Sequence, residues 1–333
     1  MAKPGRGPMA DQHDLFDLQL EGLDPEPWRD RVEELGNALG QCARLGERYL
    51  ATRIYAGPRL LVSFENVPAA RKFHPDAAPR GWLMARDRGW STLTLLASEP
   101  ENWFRDEAVY AYFDELIDEG YFDDFEEVLF YGVGGAGYAA AAYSVAAPEA
   151  RVLTLRPQAT LDPARAAWDH RFMGQRAKDF TSRFGYAPDM LETASRAWVI
   201  HDPLVAEDAM HATLFAAPNT LLLRTPHLGR TPERDLSVMG VLDDLIDEAM
   251  EGTLDHAAFA GYWRARQQHL PYLRTLFMQL DEDGREGLLA RLCRFVLRDT
   301  NRPLFAKRLA RIEARQAERS DPSEQAAPAT AQA

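Results

Sequence analysis

FEEVLFYGVGGAGYAAAAYSVAAPEARVLTLRPQATLD, residues 125–162, decides how this chain is read. A short apolar run, Glu127 to Tyr131, enters a glycine-rich turn at Gly132-Val133-Gly134-Gly135-Ala136-Gly137. A small-residue helix over Ala136–Ala147 and a second strand over Val152–Leu155 follow. Alanines let such a helix lie close on a sheet, and its first amides favour an anion or a developing negative charge. Strand, turn, helix and strand in that order predict parallel pairing through a crossover.

Two devices use a turn of this kind. In the first, Gly132, Gly134 and Gly137 match the G-x-G-x-x-G dinucleotide fingerprint in the context it requires. Arg156 stands where an acid would hold a ribose, so the cofactor expected on this reading is NADP. In the second, the turn is a nucleophile elbow, G-x-S-x-G, with Gly132 at the first glycine, Gly134 at the serine and Ala136 at the final glycine. Glycine adopts the strained backbone of the central position without the usual penalty of about 1–3 kcal/mol. On this reading the turn carries no nucleophile, and no cofactor is expected.

Outward from the turn, helical spacing predicts helices over 25–45 (Asp24 as N-cap), 106–119 and 206–215, and one starting at Asp162-Pro163. Strands are expected at 49–55, 59–64, 82–86, 91–97, 197–201 and 220–224. After Leu236 the pattern is helical throughout, over 238–251, 255–268, 270–280 and 284–297. The expected organisation is a disordered 1–12, an α/β domain over 13–232, an appended helical module over 233–317 and a disordered tail over 318–333. The fold class expected is α/β, with a mostly parallel sheet flanked by helices.

The stretch Trp103-Phe104-Arg105-Asp106, then Phe130-Tyr131-Gly132, Gly137-Tyr138-Ala139-Ala140 and Pro157-Gln158, resembles a group of bacterial α/β-hydrolase-like proteins. These often lie near polysaccharide-assembly genes and carry a serine elbow followed by Gly-Tyr-Ala-Ala. The resemblance spans roughly residues 49–230 and is specific between 103 and 162. Close look-alikes are alphaproteobacterial proteins of unknown function that also lack the serine, some bearing the label phosphoadenosine phosphosulfate reductase. This chain has neither a Ser-Gly-Gly-x-Asp-Ser loop nor a C-terminal Cys motif for that redox chemistry. In α/β-hydrolases the acid and then the histidine follow the nucleophile in chain order. Asp202, after the strand at 197–201, and His227, after the strand at 220–224, stand at those positions. The resemblance thus implies a vestigial triad Gly134/Asp202/His227 and a ligand cleft at Gly132, Gly134, Gly135, Gly137 and Tyr138, although packing on the sheet is the favoured account of Tyr138.

Other candidates are weaker. Ser144 lies too far along its helix to act as a displaced nucleophile. Asp208 and His211, at i and i+3, lack a third convergent metal ligand and read as an N-cap or a surface salt link. Asp281-x-Asp283-Gly284 lacks the acid that closes a calcium loop, since residue 292 is leucine. Cys42 and Cys293, both in helical patterns, are too few for a structural zinc site. No metal is expected.

The formal charge of −13 and pI near 5.1 argue against nucleic acid or an anionic membrane as a partner. No uncharged run of about 18 apolar residues occurs. Met1–Gln12 lacks the apolar core of a signal peptide, and the expected address is the cytoplasm. The partner expected is an unknown small molecule or protein.

Overall fold

The computed structural model describes residues 18–320. Eight strands form one sheet: β1 (Gly40–Leu45), β2 (Tyr49–Ile54), β3 (Arg59–Asn66), β4 (Ser91–Ala97), β5 (Glu127–Val133), β6 (Arg151–Leu155), β7 (Arg196–His201) and β8 (Thr220–Arg224). Their order is β1-β2-β4-β3-β5-β6-β7-β8. β2 runs antiparallel to both β1 and β4, and every pairing from β4 to β8 is parallel.

Parallel strands covered on both faces read as nearly continuous apolar runs. β4 is buried at every position, and β3 at all but its two ends. Alternate side chains divide between two cores. Tyr49, Ala51, Leu93 and Leu95 face one that includes α4 (Glu107–Asp118) and α5 (Gly135–Tyr143). Leu50, Ile54 and Leu96 face the other, which includes α1 (Pro25–Leu39), α2 (Val67–Phe73) and α3 (Arg80–Arg88). α5 presents four fully buried alanines, Ala139 to Ala142, and this smoothness lets it sit directly on the sheet.

Several local expectations are corrected. The helix at the start ends at Leu39, and residues 40–45 form β1, so Cys42 lies on a strand. Asp24 caps α1 by position but makes no side-chain capping bond. The strand expected at 82–86 is instead α3, which ends where Gly89 takes a left-handed φ of 66°. The helix expected over 238–251 starts later, as α10 (Leu242–Glu251), and a separate α9 (Pro232–Val238) precedes it, with Gly240 at φ 70° between them.

Compact units divide between Arg264 and Ala265 rather than near residue 232. Helices α9, α10 and α11 (His256–Tyr262) belong with the sheet because they supply its partners. The Trp198 indole of β7 donates to the Leu254 carbonyl at 2.7 Å, and Arg151 of β6 donates to the Met250 carbonyl. The second unit contains α12 (Leu270–Glu282), α13 (Glu286–Leu297) and α14 (Pro303–Ser320), packed around Phe277, Leu289, Cys293 and Phe305. Since α14 continues to Ser320, residues 318–320 are helical, while 1–12 and 321–333 lie outside the described residues. No helix among the described residues is long and apolar enough to cross a membrane.

Candidate functional site

β5 ends in the turn that the sequence singles out. Gly134, between β5 and α5, has φ 61° and ψ −124°, a conformation that side-chain-bearing residues rarely adopt. Its amide donates to the Leu155 carbonyl at 2.9 Å, tying the turn to the end of β6. A Cβ on Gly135 would lie 2.6 Å from the Asn102 carbonyl oxygen, so the loop after β4 closes tightly over the turn.

Above Gly134 is a cavity of about 190 Å³. Gly134, Gly135 and Ala136 lie on its lining, with Trp103 from the loop after β4, Phe73 from α2 and the segment Arg230–Arg234 after β8. Gly132, Gly137 and Tyr138 are not on it. A Cβ on Gly132 would stand 2.2 Å from the Ala136 carbonyl oxygen, which makes that glycine a packing requirement. Tyr138 is fully buried and donates its hydroxyl to the Phe184 carbonyl at 2.6 Å.

Arg156, also on the lining, follows β6 with a left-handed φ of 52°. Its Nη2 lies 3.7 Å from where a Cβ of residue 134 would be, and its Nη1 donates to the Arg230 carbonyl at 2.8 Å. The side chain is 18% exposed, its Nε has no hydrogen-bond partner, and the nearest carboxylate, Asp208, is 4.0 Å away. Burial lowers the Arg156 pKa most, Asp208 opposes that, and Arg171 and Arg230 lower it further.

Asp202 and His227 follow the carboxyl ends of the adjacent strands β7 and β8. Neither lines the cavity. The Asp202 carboxylate is committed to backbone, accepting from the amides of Leu204 and Gly229, each at 2.9 Å. His227 has a left-handed φ of 66°. Ser144 donates its hydroxyl to the Ala141 carbonyl within its own helix.

The surface reading of Asp208 and His211 is overturned, for both are buried on α8 (Ala206–Leu214). His211 Nδ1 accepts from the Ala159 amide at 3.1 Å, so Nε2 is the nitrogen that donates to Asp169, 2.9 Å away. Arg171 bridges Asp169 at 2.8 Å and Asp208 at 2.6 Å. Burial alone would raise the Asp169 pKa; hydrogen bonds from His211 and Arg171 outweigh it and hold the carboxyl well below its ordinary range. Among the described residues no group of three or more His, Cys, Asp and Glu side chains is placed to hold a metal ion.

A second buried network lies at the other wall of the cavity. Glu233, on the lining, accepts from the Tyr131 hydroxyl at 2.7 Å. His74 Nε2 approaches it at 3.5 Å, an ion-pair distance, and Arg80 Nε at 3.9 Å. Burial raises the Glu233 pKa, but His74, Arg80 and Tyr131 bring it down to about 2. Burial lowers the His74 pKa most, but the charge and hydrogen bond of Glu233 together with the Glu65 charge outweigh it, leaving it raised. The carboxylate therefore contributes stability above its ordinary value of 4.5, lost as pH falls toward about 2. The imidazolium contributes below 6.5, lost as pH rises through its higher folded value. Glu233→Gln is accordingly expected to cost most between these two ordinary values. Urea midpoints compared across pH test it, and a loss that stays constant from about pH 3 to 8 would contradict the assignment.

The strand order, the single antiparallel strand β2 and the turn after β5 together define an α/β-hydrolase-like fold. A dinucleotide-binding sheet runs 3-2-1-4-5-6 with its fingerprint after the first strand. No protein-family model matches the chain, and no curated protein is detectably similar in sequence. Among solved structures it is similar to DphMB1, at 16% identity over 77% of this chain and 99% of that one, TM-score 0.43. It is also similar to the thermostable carboxylesterase EstE1 from a metagenomic library, at 14% identity over 73% and 98%, TM-score 0.37. A third is the Pyrococcus horikoshii acylaminoacyl peptidase, at 7% identity over 65% of this chain, TM-score 0.41; the chain spans 41% of the peptidase's length.

The sequence reading missed Arg230, Arg234 and the Asp169–Arg171 partners. The one available signal was the Arg-x-x-x-Arg pair Arg230/Arg234 in the segment following the last strand.

Proposed function

We propose that this chain is a non-catalytic α/β-hydrolase-like protein that binds a ligand in the cavity over Gly134. The observation that carries this reading is the pairing of a glycine at the elbow's central position with the Arg156 guanidinium 3.7 Å from its missing Cβ. A strained turn is retained with no side-chain oxygen to attack from it.

The purified protein is expected to leave p-nitrophenyl acetate unhydrolysed above the buffer rate and to take no label from a fluorophosphonate probe. Ester turnover that His227→Ala abolishes would sink the proposal, and covalent labelling would point to a displaced nucleophile instead.

A further inference from the structure

We infer that the cavity over Gly134 takes a compact oxyanion, a phosphate or carboxylate group borne on a small apolar molecule, held by Arg156, Arg230 and Arg234. This rests on the ligand-binding reading of the same cleft and adds the chemistry of the ligand.

Three arginines are among the residues lining one cavity of about 190 Å³, a space that admits an anionic headgroup and several further atoms. Arg156 reaches it from the turn after β6, and Arg230 and Arg234 from the segment after β8. Neither Arg230 nor Arg234 makes an ion pair among the described residues; Arg234 lies 5.7 Å from the centroid of the Phe73 ring. Two acids share the lining, Glu101 and Glu233. Glu233 is already engaged by His74, Arg80 and Tyr131, so its charge is not free to balance the three cations.

Arg156 is the strongest indication. A mostly buried guanidinium normally has its donors satisfied, yet its Nε has no partner and its closest carboxylate is 4.0 Å away. The positive charges of Arg171 and Arg230 act against it, while Asp208 and Glu101 favour it. Guanidinium forks match the planar or tetrahedral oxygens of carboxylate and phosphate, often two bonds at a time. Phe73, Trp103 and Phe172 on the same lining offer apolar surface to the rest of the molecule.

The test titrates the full chain with phenyl phosphate, benzoate and the uncharged benzyl alcohol at low ionic strength, by calorimetry or NMR. At least one anion is expected to bind in the millimolar range or tighter, more weakly with added salt, while benzyl alcohol does not bind. Tighter phenyl phosphate assigns a phosphate and tighter benzoate a carboxylate. The double variant Arg230→Gln/Arg234→Gln, changed only at exposed side chains, is expected to lose about tenfold or more in affinity. Arg156→Gln should lose at least as much. Benzyl alcohol binding as well as the anions, unchanged affinity in all variants, or no binding of either anion would overturn the inference. Because enzymatic turnover is measured separately, neutral-ligand binding without turnover would remove the anion and leave the non-catalytic reading standing.

Discussion

Gly132→Ala is expected to prevent the chain from folding, or to leave so little native protein that no cooperative transition remains. The added Cβ would sit 2.2 Å from the Ala136 carbonyl oxygen, 2.5 Å from its carbon and 2.9 Å from the Gly137 nitrogen. All three are backbone atoms, so no rotamer change relieves the overlap. Gly132 also pairs with Phe64 on one side and Thr154 on the other, so β5 cannot retreat without breaking its register. The cost is expected to exceed about 4 kcal/mol, a large part of the roughly 5–15 kcal/mol that holds a domain folded. Gly174→Ala, where a Cβ meets nothing within 4 Å, is the control and should lie within about 0.5 kcal/mol of the wild type. Soluble yield and thermal unfolding compare them. A Gly132→Ala protein as stable as its control would mean that α5 lies less closely on β5 than described.

The second large effect is expected at Asp169→Ala. The change strips Arg171 and the fully buried His211 of the carboxylate they share, leaving a charged and a polar group without it. Breaking a buried pair on one side typically costs about 3–5 kcal/mol, because the remaining group keeps its desolvation penalty. Replacing the whole network by apolar residues of similar size, as in Asp169→Leu/Arg171→Met/Asp208→Leu/His211→Leu, should recover a substantial part, since the Asp208 carboxylate that Arg171 also holds is then not left buried alone. Urea denaturation of the two variants decides the matter. Equal losses in both would show that packing volume, not charge pairing, is what Asp169 supplies.

The centre of the fold was legible because its signals are local. A buried run, a glycine turn and an alanine-rich helix at 127–147 admit few arrangements, and β4 and β8 fall at the residues that alternation marks. The errors share a physical origin. Residues 80–88 form a short helix whose central positions are all apolar and buried, and over so few residues periodicity does not distinguish helix from strand. β1 follows α1 without a break, and as an edge strand it buries only Leu45, so its pattern has no clear alternation. The fate of Asp208 and His211 depended on Asp169 and Arg171, about forty residues earlier; no local spacing reports such a meeting. The boundary near 232 was misplaced for the same reason. What joins α10 to the sheet is Arg151 reaching the Met250 carbonyl, ninety-nine residues away.

The position of Arg156 also bears on what a hydroxyl installed at residue 134 would experience. A guanidinium has five donors and no lone pair to receive a proton, so the nearest side chain to such an oxygen supplies hydrogen bonds and positive charge but no base. A single substitution at this turn would therefore place its oxygen beside a fixed cation that can donate to it and cannot take its proton.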